Sequence, residues 1–122
     1  MRPILACSLL AALTVTATAG AECIYPEAPG ALPDGNTASQ EEMVTAMQGL
    51  KDYDAAVTAY LSCLEMETST QIAEAGEELT EEQVTQIKAI QVKKHNAAVE
   101  ALETRASQFN EQVRIFKDRD KS

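Results

Sequence analysis

Apolar residues recur in two long stripes. The first runs Met43, Ala46, Leu50, Tyr53, Val57, Tyr60, Leu64, with gaps alternating between three and four. Met47 and Leu61 widen it. The second runs Val84, Ile87, then Val92, His95, Val99, Leu102, Ala106, Phe109, Val113 and Phe116. That alternation marks one face of an α-helix packed along a partner. The pattern predicts helices over about 40–75 and 81–118.

Local signals set the ends. Ser39-Gln40-Glu41-Glu42 is a capping box, with the Ser39 hydroxyl placed for the Glu42 amide and the Glu42 carboxylate placed to reach back. Thr80 and Gln83 form a second, and Leu79 with Val84 has the spacing of a hydrophobic staple. Gly76 suits the left-handed stop of the first helix. Gly49 and Thr68-Ser69-Thr70 are weak points where that helix is expected to kink or fray. Each helix of roughly 35 residues would extend about 50 Å at 1.5 Å per residue. A connection as short as 77–79 forces an antiparallel pair. The expected fold is all-α: a long two-helix hairpin over 39–118, with a charged tail at 119–122.

Residues 22–38 read differently. Pro26, Pro29 and Pro33 recur with Gly30 and Gly35 between them. Proline fixes its own backbone and biases its predecessor to extended conformations. This is a Pro-rich arm, ending in the turn signal Pro33-Asp34-Gly35-Asn36.

Residues 1–21 have the parts of a secretory signal: Arg2, the apolar run Ile4 to Leu13, and small residues at Ala17-Thr18-Ala19 and Ala19-Gly20-Ala21. The run is too short to span a bilayer. Cleavage before Glu22 is preferred, with Gly20 as the alternative start. The expected address is periplasmic or secreted, with no stable membrane anchor after cleavage. Cys7 leaves with the leader, so Cys23 and Cys63 remain as one pair. In an exported chain such a pair reads as a structural disulfide. Redox pairs usually sit close in sequence, often as C-x-x-C, and these do not. The geometry allows the bridge: helix from Ser39 to Cys63 rises about 36 Å, and the arm can span about 50 Å in polyproline form. The arm would fold back into the groove between the helices, with Ile24, Tyr25 and Leu32 as apolar pegs.

Charge narrows the partners. Removing Arg2 takes the formal charge from −9 to −10. Glu22 to Ile87 holds 14 acids and one base, Lys51, whereas 88–122 holds 8 bases and 5 acids. A polyanion repels nucleic acid phosphate, which excludes that partner. The two segments attract, but exposed pairs contribute under about 1 kcal/mol each, and solvated helix faces are the simpler reading.

Candidate chemistry is sparse. His95 is the only histidine. No nucleophile or carboxylate motif accompanies it, so a helix-interface role, bonded to a tyrosine, is expected. Glu74, Glu77, Glu78, Glu81 and Glu82 crowd the hairpin tip without the alternating ligands and glycine of a calcium loop. Met43 and Met47 read as core rather than soft-metal ligands. No phosphate loop, G-x-S-x-G or H-E-x-x-H occurs. No catalytic residue, cofactor or metal is therefore expected.

One set of local strings carries a resemblance. These are Cys23 with Pro26 and Pro29; Pro33-Asp34-Gly35 leading to Ser39-Gln40-Glu41-Glu42-Met43; Tyr60-Leu61-Ser62-Cys63-Leu64; His95-Asn96-Ala97-Ala98-Val99; and Phe109-Asn110-Glu111-Gln112-Val113. They cover most of the mature chain, which resembles a group of small, uncharacterised secreted helical-hairpin proteins of Gram-negative bacteria. The resemblance implies a periplasmic address and no mechanism. The functional expectation is a non-enzymatic protein acting through a protein partner or by homo-oligomerisation. The alternative is a cation or small-ligand module using the acidic tip or the arm groove.

Overall fold

The structure is a computed structural model that describes residues 22–121. Residues 1–21, the expected leader with Cys7, and Ser122 lie outside the described residues. Helix α1 spans Gln40–Ala75 and α2 spans Glu81–Asp118, joined by a 3-10 turn at Gly76–Glu78. No strand occurs among the described residues. The two helices pack antiparallel along one another.

Both capping boxes form. The Glu42 amide donates to Ser39 Oγ at 3.1 Å, and Glu42 Oε2 accepts from the Ser39 amide at 2.6 Å. At α2 the Gln83 amide donates to Thr80 Oγ1 at 3.2 Å, and Gln83 Oε1 accepts from the Thr80 amide at 2.9 Å. Each box satisfies two backbone donors that a helix start leaves open. Gly76 stops α1 at φ 53°, and its amide donates to the Ile72 carbonyl. A side chain at that positive φ would be strained. α1 continues unbroken through Thr68-Ser69-Thr70 to Ala75.

The first apolar stripe packs as read except at Met47, which is 42% exposed rather than core. Met43, Tyr53, Val57, Tyr60 and Leu64 are buried, and Ala46 and Leu50 are half-buried between them. The second stripe packs as read at Leu102, Phe109, Val113 and Phe116 and is corrected at Val92 and His95. On α2 the buried residues are Ala98 and Phe109, whereas Val92 is 55% exposed and His95 is also exposed. A strict seven-residue repeat drifts about 20° per heptad on a straight helix. Followed back from Phe109, the stripe therefore rotates away from α1. The inward line instead reaches Ala98, which faces Tyr53, Val57, Tyr60 and Leu64 and is 0% exposed. A small residue there lets four bulky ones close over it.

The arm is the third element, and it runs beside the proximal half of the hairpin only. Cys23 and Cys63 are joined by a disulfide, with Cα atoms 5.7 Å apart. Tyr25 meets Tyr60 edge-on, centroids 5.3 Å apart. Leu32 packs on Ala38, Met43 and Phe109. Ile24 does not serve as a peg: it is 87% exposed. Extended chain alternates its side chains, so the residue after an inward cysteine turns out.

Candidate functional site

The hairpin divides at Leu64 and Ala98. On the proximal side lie both apolar clusters and the arm. On the distal side, from residue 65 to residue 97, no residue is buried.

The proximal side is held by a polar ladder on α2. An extended arm makes few backbone hydrogen bonds of its own, so its polar groups need partners elsewhere. Arg105 donates Nη2 to the Pro29 carbonyl and, at 2.8 Å, to the Gly30 carbonyl. Gln112 Oε1 accepts from the Gly35 amide at 2.8 Å. Arg119 donates Nη1 to the Ala38 carbonyl at 2.6 Å and to the Gly35 carbonyl at 3.3 Å, and its guanidinium lies 4.3 Å from the Phe116 ring centroid. These residues recur every seven positions, on one face of the helix. Over fourteen helical residues, a rise of about 21 Å, the ladder meets the arm from Pro29 to Ala38, so one face of α2 reads out the arm.

Gly35 marks the closest approach. A Cβ at this position would lie 2.2 Å from the Gln112 carbonyl oxygen and 2.9 Å from the Phe116 nitrogen. The turn around it is tied by Asp34, whose Oδ1 accepts from the Asn36 amide at 2.9 Å and whose carbonyl accepts from the Ala38 amide at 2.8 Å. Arg119 belongs to the segment expected to be a charged tail. A polar heptad beside the apolar stripe does not by itself name the arm carbonyls as its partners.

The distal side has apolar residues without a core. Ile72 and Ile87 are half-buried, Ile90 and Val92 are more than half exposed, and Met66 is 69% exposed. Two grooves flank the helix–helix seam. The wider, about 520 Å³, is lined by Glu65, Ile72, Lys88, Val92 and His95 among others. The opposite one, about 60 Å³, has Leu64, Ile87, Ile90 and Lys94 in its walls. A third groove, about 1050 Å³, adjoins the disulfide on the outer side of α1, with Ala59, Cys63, Met66 and Glu74 in its walls.

His95 is corrected in role as well as in place. Its Nδ1 lies 3.4 Å from Asn96 Oδ1, and no tyrosine bonds to it among the described residues. The tip carboxylates do not converge. The one set of three metal-donor groups drawn together among the described residues is Cys23, Cys63 and Glu67. Its two sulfurs are spent on each other. Ion pairs among the described residues cluster at the end of α2, as in Arg114 with Glu111 and Asp118. The basic groups that reach the arm do so through carbonyls. No helix among the described residues is long and apolar enough to cross a membrane.

Neither protein-family models, curated proteins nor solved structures match this chain.

Proposed function

We propose that this is an exported, non-enzymatic helical protein that works by association through the distal half of its hairpin. The observation that carries this reading is the contrast between the halves. The proximal half closes a core under the disulfide-bonded arm, whereas the distal half keeps Ile72, Ile90 and Val92 along grooves that its own chain leaves open. A helical pair with apolar flanks offers a seat for further helices. Export is supported by the leader and by a long-range disulfide, a bond that persists in oxidising compartments. Affinity capture of the tagged mature protein from periplasm, with Val92→Glu as control, tests the proposal. Retention of protein that the control loses is expected. Equal retention by both would contradict it.

A second reading has the groove beside the disulfide in its favour: a small-ligand module with an apolar floor and carboxylate rim. Calorimetry against calcium, zinc, copper and a metabolite panel tests it. Heat specific to one compound is the expected signature, and silence across the panel removes it.

A further inference from the structure

We infer that Cys23, Cys63 and Glu67 form a zinc site when the disulfide is reduced, so that the bond and the ion are alternative ties between the arm and α1. The inference stands apart from the association reading above.

The donors are already gathered. One ligand atom from each of the three residues lies within 4.8 Å of the others. Thiolates and a carboxylate on one tetrahedral zinc, with bonds of about 2.0–2.3 Å, stand roughly 3.5–3.8 Å from each other. The sulfurs need only part from bonding distance by turning about their Cα–Cβ bonds, while the Glu67 carboxylate draws in. Cys63 and Glu67 stand at i and i+4 on α1, so both leave the same face of the helix. Zinc-binding helices use that spacing. Two sulfurs with one oxygen suit zinc, a borderline ion. Copper(I) prefers soft ligands throughout, and calcium prefers oxygens. Three protein ligands leave a fourth position to solvent.

The arm has other holds on the hairpin that keep Cys23 near Cys63 without the bond. Tyr25 rests edge-on against Tyr60, Pro26 is buried, and Arg105 holds the Pro29 and Gly30 carbonyls. The surroundings favour a cation over thiol catalysis. Reactive thiols sit in electropositive sites. Here Glu22, Glu67 and Glu74 share the groove that Cys63 lines, and no base lines it. Lys94 lines the next groove with Glu67 but forms no ion pair with it among the described residues. The exchange balances. A dithiol reaching Cys63 through its groove gives the Cys23–Cys63 bond two electrons and two protons and itself becomes a disulfide. Zinc then displaces both thiol protons as it binds.

Zinc titration of the mature protein, reduced by a phosphine and in competition with a chromophoric chelator, tests the inference. One zinc per chain is expected, with both thiols then shielded from alkylation. The disulfide-bonded protein should leave the chelator its zinc. Glu67→Gln should weaken zinc at least about tenfold, since even groups one step removed from a ligand carry that much. The helical circular dichroism of its disulfide-bonded form should stay unchanged. Zinc should also raise the urea midpoint of the reduced chain, because an ion that binds only the folded state stabilises it, and should not raise that of Cys23→Ser. A reduced protein that takes up no zinc overturns the inference, and so does equal uptake by the disulfide-bonded form. Uptake indifferent to Glu67→Gln overturns the three-residue site.

Discussion

Gly35 shows how much one missing methyl can decide. Its backbone lies so close to α2 that any Cβ would meet main-chain atoms, which cannot swing aside as a side chain could. Gly35→Ala should destabilise the fold by about 1–3 kcal/mol through overpacking, read by urea denaturation. An unchanged midpoint would mean that the turn does not sit on α2. Arg105 makes the complementary case. Arg105→Met keeps an apolar stem but loses both bonds to the arm, and hydrogen bonds to charged groups contribute about 1.5–3 kcal/mol. A loss of at least about 1 kcal/mol is expected, since the site is only half-buried. Tyr60 gives a pH dependence. Burial raises its phenol above the ordinary 10.0, and the charges of Tyr25 and Glu67 push the same way. The folded state therefore holds the proton that the unfolded state releases. This contribution is intact below pH 10 and falls as pH rises through the elevated folded value. Tyrosinate absorbance should lose a late-titrating component in Tyr60→Phe, and denaturation midpoints should fall on the alkaline side. Tyr60→Phe should remove that part of the fall.

At the level of elements, the two helices and the arm could be read from different kinds of signal. Capping boxes gave α1 and α2 their ends because capping is local: Ser39 and Glu42, or Thr80 and Gln83, carry the whole instruction within four residues. The stripe from Met43 to Leu64 gave the inward face of α1. The stripe on α2 holds where Leu102, Phe109, Val113 and Phe116 pack on the clusters and fails at Val92 and His95, because heptad spacing and true helical pitch diverge over several turns. Only tertiary packing shows that Ala98 is the residue the tyrosines need. The disulfide was legible from the cysteine count once export was expected. The Arg105–Gln112–Arg119 ladder was not, because its partners are carbonyls of a segment with no periodicity. The disulfide is also the element with the largest single effect. Closing a loop of sequence separation 40 should contribute about 4 kcal/mol in the chain-entropy model. Cys23→Ser with Cys63→Ser should lower stability by an amount near this. A loss below about 1 kcal/mol would show that the ladder alone holds the arm.

On the scale of the whole molecule, the hairpin is one length of helix put to two uses. Its proximal half folds on itself, stapled by the arm. Its distal half closes no core among the described residues and leaves Met66, Ile90 and Val92 exposed. Stability should therefore be uneven along the helices, since local opening follows local burial. Amide hydrogen exchange of the mature protein tests this most directly. The amides of 66–75 and 83–92 should exchange faster than those of 50–64 and 98–109. Equal protection along both helices would contradict the account.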